Sequence, residues 1–328
     1  MGGNLFKLGR ITQDKYIKIE TEIRQYLDKK LGQAYHIPRY YADKADFGDL
    51  DLIINSDALA DNWEEVRQEI VQDLKIEKYK SNGRVFSTVY QNFQVDYFTT
   101  SDEFFESTYN YLSFNDLGNL IGKICHRFNL KYGERGLAYV YRRELGNYKK
   151  DLTVTTDFKE ICDFLKLNYD RWKKGFNSLE EIYRWAIASP YFSVEPYLMR
   201  STSLNNRIKN RPTIQKFIEY IEKNKITKTY NYLENRAEYI PLIDRSFPQA
   251  NLIEKIEREK SEEEITKQII AKFSGKLVIK LIPELQGKEL GEFIVSFKNK
   301  FEDFRSFVLA NSQEEIDRQI LEYYQIWK

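Results

Sequence analysis

The sequence predicts an α+β fold: a mixed sheet flanked by helices near the N-terminus, followed by mostly helical middle and C-terminal regions. Three observations carry this. The first hundred residues alternate between apolar spacings of helical period and runs of strand-like period two. Acidic residues stand at the ends of the predicted strands. After Ser101 the pattern turns helical and is punctuated by capping signals. The texture divides the chain into segments 1–105, 106–230 and 231–328, with no Pro/Gly/Ser-rich linker between them.

"TQDKYIKIETEIRQYLDKKLG" places Tyr16, Ile19, Ile23 and Leu27 on one helical face and stops at Gly32. "AYHIPRYYADKADFGDLDLIIN" reads as strand, polar loop, strand. "DNWEEVRQEIVQDLKI" is a second helix, with Asp61 expected at the N-cap and Glu64 three residues on. The turn Ser81-Asn82-Gly83 precedes two strand runs, Arg84–Tyr90 and Phe93–Phe98. From Ser101 to about residue 230 helices are expected, with a capping box at Ser178–Glu181 and breaks at Gly175 and Pro190. Two further capping boxes, Ser261–Glu264 and Ser312–Glu315, mark helix starts in the last hundred residues.

Composition bounds the function. The chain has 328 residues, 42% hydrophobic and 31% charged, with a formal net charge of +1. A global positive field is absent, so any nucleic-acid contact needs a local patch. Cys125 and Cys162 lie in apolar helical patterns, outside any CxxC unit. They read as buried free thiols in a reducing, cytoplasmic setting, with neither a zinc site nor a disulfide framework. No apolar run approaches the roughly 18 residues that would span a bilayer, and no obligate protein partner is evident. His126 reads as a packed helix residue. There is no G-x-x-x-x-G-K-[ST] loop.

The chemistry sits in "DFGDLDLII". Asp49 and Asp51 are two apart on a predicted strand and point to the same face. Like charges so placed repel unless a cation lies between them. Oxygen ligands select hard ions, so Mg²⁺ or Mn²⁺ is expected. "NFQVDYF" offers a third carboxylate, Asp96, on a later strand. Three such groups suit a two-metal site that stabilises the attacking and leaving oxygens of phosphoryl transfer. The alternative reading is structural: Asp49 caps a turn after Gly48, and Asp96 pairs with a base.

The order Gly48-Asp49-Leu50-Asp51 followed by Asp96 resembles the nucleotidyltransferase superfamily, which includes DNA polymerase beta, poly(A) polymerases and CCA-adding enzymes. The resemblance covers roughly residues 30–100. It implies that Asp49, Asp51 and Asp96 are catalytic and metal-binding, and that the substrate is a nucleoside triphosphate such as ATP. The family's Gly-Ser pair, about ten residues before the first acid, is missing; Pro38-Arg39 stands there. Arg39 is the candidate replacement, with Lys44 and Gly48 as further nucleotide contacts. The departure also leaves open a catalytically weak member that only binds nucleotide or RNA.

In poly(A) polymerases and CCA-adding enzymes a helical element after the sheet grips the nucleotide. Here that place is taken by "SFNDLGNLIGKICHRF", where Asn115, Asn119, Lys123 and Arg127 recur every four residues. The resemblance offers Asn115, Asn119 and Lys123 for nucleotide binding; a solvated helix face is the alternative. Arg207, Lys209, Arg211 and Lys216 in a locally basic run are candidates for an RNA backbone. "LQGKELGEFI" is similar to a helix entry that touches tRNA in the bacterial enzymes. The expected function is metal-dependent, template-independent transfer of a nucleotide to an RNA 3′ end, with tRNA a candidate acceptor. The alternatives are a transferase of the same fold acting on a protein, a small molecule or DNA, and the binding protein above.

Overall fold

The computed structural model describes residues 5–59, 62–144, 147–198 and 211–328. They divide into two compact units, one of Met1–Val140 and Lys149–Leu252, the other of Tyr141–Tyr148 and Ile253–Lys328. The fold is α+β.

The first unit opens with β1 (Ile11–Thr12) and α1 (Gln13–Leu31). Tyr16, Ile19, Ile23 and Leu27 are buried along α1, as their spacing requires, and Gly32 ends the helix at φ +56°. Short strands β2 (Tyr35–His36) and β3 (Asp46–Phe47) lead to β4 (Asp49–Asn55). After α2 (Trp63–Asp73) come β5 (Tyr79–Asn82), β6 (Val85–Tyr90) and β7 (Phe93–Thr100). Asn62 is the N-cap of α2 and offers no side-chain bond; Asp61, the expected cap, lies outside the described residues.

β2, β4, β7, β6 and β5 form one five-stranded sheet in that order. β4 runs parallel to β7, and the other pairings are antiparallel. Alternation sets the two faces. Leu50, Leu52, Ile54, Val95, Tyr97 and Phe86 go into a core completed by Ile19, Ile23 and Leu27 of α1. The residues between them, among them Asp49, Asp51, Gln94 and Asp96, are left on the other face.

Past the sheet lie α3 (Asp102–Leu112) and α4 (Leu117–Arg127). The two helices approach so closely that a Cβ on Gly118 would come within 2.7 Å of the Tyr111 ring and carbonyl. The helical reading then fails for about 25 residues. β8 (Leu130–Gly133), β9 (Gly136–Arg142) and β10 (Lys149–Thr155) form a second sheet, ordered β10-β9-β8. Leu137, Tyr139 and Tyr141 alternate in "GLAYVYR" and are buried, which favours the pleat once Gly136, at φ +77°, turns the chain. α5 (Phe158–Leu165), α6 (Tyr169–Lys174), α7 (Leu179–Ala188), α8 (Glu195–Leu198), α9 (Pro212–Lys223) and α10 (Ile240–Ser246) complete this unit. Ser178 caps α7, accepting from the Glu181 N–H as expected. Cys125 and Cys162 are buried free thiols.

In the second unit α11 (Leu252–Lys272) runs unbroken through Ser261. The capping box expected there does not form, because the Ser261 hydroxyl bonds back to the Glu257 carbonyl inside the helix. α12 (Gly275–Leu281), α13 (Gly287–Asn299), α14 (Phe304–Ala310) and α15 (Gln313–Trp327) follow, and Ser312 caps α15 through the Glu315 N–H. Phe273, Phe293, Phe297, Ile316 and Ile320 form the centre of this bundle. No described helix is long and apolar enough to cross a membrane.

Candidate metal centre

The register of β4 against β7 places Asp51 directly opposite Asp96, and Asp49 opposite Gln94. One sheet face therefore carries three acids. Each offers an oxygen within 4.8 Å of the others. Two unit charges at that separation repel by about 3.5 kcal/mol at an effective dielectric of about 20. Bare, the arrangement opposes folding.

The protonation behaviour follows. Burial, and then the charge of Asp96, raises the Asp49 pKa above the ordinary carboxylate range. Burial with Asp49 and Asp96 together raises Asp51 well above it. Asp96 is also raised by burial, but the Ser87 hydroxyl and the Gln94 amide pull it back. Asp49 Oδ2 is buried with no hydrogen-bond partner. A buried anionic oxygen without a donor, next to two more carboxylates, is a position that a hard cation completes. The residues fit a divalent metal.

Gln94 was not singled out from sequence. It is 2% exposed. Its Nε2 donates to both Asp96 oxygens, at 3.1 and 2.8 Å. Its Oε1 accepts from the Leu5 backbone N–H at 3.2 Å. The reverse amide orientation would set a carbonyl against a carboxylate, so this one is dictated by its partners. Ser87 lies opposite Asp96 on β6. The signal was present in "FQVD": residues 94 and 96 share a strand face. Gln94→Leu should keep the shape and lower Mn²⁺ affinity about 10- to 100-fold, as loss of a partner behind a metal ligand usually does. Isothermal titration measures it; wild-type affinity would show that Asp96 needs no such support.

Lys44 is lodged beside the acids. Its Nζ donates to Asn115 Oδ1 at 3.1 Å and lies 4.2 Å from the Phe47 ring centre. Burial lowers its pKa, against the pull of Asp49 and Asp51. Gly48 is the bend between β3 and β4, immediately before Asp49. Asn115 reaches Lys44 from an unusual backbone. Phe114 and Asn115 both have positive φ, +61° and +60°. That is uncommon for a bulky aromatic. Packing holds it: Phe114 is 1% exposed and meets Trp172 and Phe176 edge-on.

The remaining candidates do not gather there. Arg39 donates from Nη1 to the Trp172 carbonyl at 3.0 Å and from Nη2 to the Lys173 carbonyl at 2.9 Å. It also lies over the Phe114 and Trp172 rings. A phosphate would have to compete with these contacts. Asn119 Nδ2 and Arg211 Nη1 both donate to Asp116 Oδ1, at 3.0 and 3.2 Å. Lys123 lies farther along α4. Lys216 is exposed on α9. Arg207 and Lys209 lie outside the described residues. His126, read from sequence as a packed helix residue, is exposed on α4.

No family model matches the chain, and no curated protein matches it. Among solved structures it is similar to Leishmania infantum polymerase beta in a ternary gap complex, at 16% identity and a TM-score of 0.34. The match covers 42% of this chain and 53% of that one, so the chain spans about half of its neighbour's length.

Proposed function

We propose that this protein is a metal-dependent nucleotidyltransferase that moves a nucleoside monophosphate from a nucleoside triphosphate onto the 3′ end of an RNA, without a template. One observation carries the reading: three carboxylates from two paired strands converge on one sheet face, with a buried Asp49 oxygen that no protein donor satisfies.

Asp49, Asp51 and Asp96 would hold the metal, with Mg²⁺ the natural ion for carboxylates that share it with phosphates. Bound divalent ions would neutralise phosphate charge and make the acceptor hydroxyl easier to ionise. The residues supply the rest. Asp96, held by the Gln94 amide, would accept the hydroxyl proton. Lys44, bonded to Asn115, would be the cation for the phosphate chain. The acceptor oxygen bonds to the α-phosphorus, the bond to the β-phosphate bridge breaks, and pyrophosphate leaves. The basic run that holds Arg211 and Lys216 supports a polynucleotide acceptor, because a small molecule needs no phosphate track.

The test incubates the protein and Mg²⁺ with each α-labelled triphosphate, with and without RNA. Label should enter RNA and vanish on chelation. Label in protein or in a small molecule would overturn the acceptor. Binding without turnover would overturn the enzyme reading.

A further inference from the structure

Residues 37–45 cross from β2 to β3 with one turn and no regular element. They carry Lys44, which feels the charges of Asp49 and Asp51. A loop of this kind holds one long side chain in place only if it is tied from outside.

Arg39 supplies the ties. Its backbone N–H donates to Ser113 Oγ at 3.1 Å, and its carbonyl accepts from the Phe114 N–H at 2.6 Å. Its guanidinium forks onto two carbonyls in the last turn of α6, Trp172 from Nη1 at 3.0 Å and Lys173 from Nη2 at 2.9 Å. The C-terminal end of a helix favours a cation. The guanidinium carbon also stands 4.8 Å from the Phe114 ring centre and 5.3 Å from that of Trp172. Gly175 leaves the room for this: a Cβ there would come within 2.7 Å of Arg39 Nη2. Three residues on, the loop is tied again, by the Ala42 N–H to the Phe176 carbonyl at 3.0 Å and the Asp43 N–H to the Asn177 carbonyl at 2.8 Å.

One arginine thus joins its own loop, residues 113–114 and the end of α6. The two residues that meet beside the acids leave from the first two of these: Lys44 from the loop and Asn115 directly after Phe114, with 3.1 Å between Nζ and Oδ1. Phe114 and Asn115 both keep a positive φ. Such strain persists where the surroundings over-determine it, as they do at ligand clamps.

We propose that Arg39 is a positioning residue for the triphosphate: it touches no phosphate, and it sets Lys44 against the phosphate chain by clasping the Lys44 loop to Phe114 and to α6. This role, which rests on the nucleotidyltransferase reading, is specific to arginine, because a planar fork matches two neighbouring carbonyls and a lysine point charge does not.

The experiment uses the full chain. It follows amide exchange without ligand, then ATP binding with Mg²⁺ by calorimetry. Arg39→Lys keeps the charge and loses the fork; Arg39→Ala loses both. In each, the amides of Ala42, Asp43 and Phe114 should exchange about 10-fold faster, while those of β4 keep their rate. ATP affinity should fall about 10-fold. In a Lys44→Ala background the same changes should cause no further loss, because a residue that acts through Lys44 then has nothing to place. Mn²⁺ affinity without nucleotide should stay at the wild-type value; a fall there would make the effect one on the acids and overturn this role. Full ATP affinity in Arg39→Lys, or losses that add to those of Lys44→Ala, would mean that Arg39 meets the phosphates itself. Unchanged exchange in the loop would show that it is held without the guanidinium, and would also overturn the role. Arg39→Lys carries the test should Arg39→Ala not fold. Wild type that binds no ATP would overturn the nucleotidyltransferase reading and this role with it, whereas ATP binding with additive variants would overturn the role alone.

Discussion

Asp51→Asn should abolish nucleotidyl transfer and, in the absence of metal, make the protein more stable. The activity loss is set by the several kcal/mol that a metal contributes to a phosphoryl transition state, which corresponds to about 10³-fold or more. The gain in stability comes from the same carboxylate. Asp51 faces Asp96 across the strand pair and lies two residues from Asp49. Removing its charge relieves both repulsions, and Tm should rise by a few degrees. The pH dependence has a definite sign. All three acids have folded pKa values above the ordinary range, with burial the first cause. The folded state therefore binds more protons than the unfolded state, and stability from this site falls as pH rises from about 4 through the folded values. Asp51→Asn should flatten that fall, and Mg²⁺ should reverse it in wild type only. Melts at several pH values, with and without Mg²⁺, measure both. Full activity in Asp51→Asn would dismiss the metal centre; a lower apo Tm would dismiss the repulsion.

Gly136→Ala should be the most damaging small substitution in the second sheet. Gly136 sits at φ +77°, and an added Cβ would run into the Thr155 carbonyl oxygen and come within 2.8 Å of Thr156 Cα. Both obstacles are backbone, so neither can rotate away. Left-handed strain and overpacking together should cost about 3 kcal/mol, a Tm drop of about 6–12 °C for a unit of this size. Gly133→Ala is the matched control, since nothing lies within 4 Å of its added Cβ. Equal Tm values for the two variants would mean that β8 to β10 adjust more freely than their contacts imply.

The acids were legible because their signal is local. Asp49, Asp51 and Asp96 each interrupt an apolar strand, and the alternation that buries Leu50 and Val95 puts the acids on the shared opposite face. Lys44 and Asn115 were legible one at a time, but their contact was not. It depends on two consecutive residues of positive φ, and Phe114 gives no sign of that. Arg39 illustrates the other limit. Its place in the sequence suggested a phosphate contact, yet its partners are carbonyls 133 and 134 residues away. Such distant pairing leaves no local pattern. The strands between residues 130 and 155 were missed although β9 carries a strand signal, the period-two alternation of buried Leu137, Tyr139 and Tyr141.

The pairing of Asp51 with Asp96 also makes the centre a reporter of folding fidelity. Strand register is quantised: a one-residue slip of β4 along β7 would turn the acids into the core and the leucines outward. A misregistered chain could keep its secondary structure and still lose the triad. Divalent-ion affinity of refolded protein would thus count correctly registered molecules, which far-ultraviolet dichroism cannot do. Natural variation is constrained in the same way. The acids cannot shift by one position along their strands without exchanging places with core residues such as Leu50 and Val95.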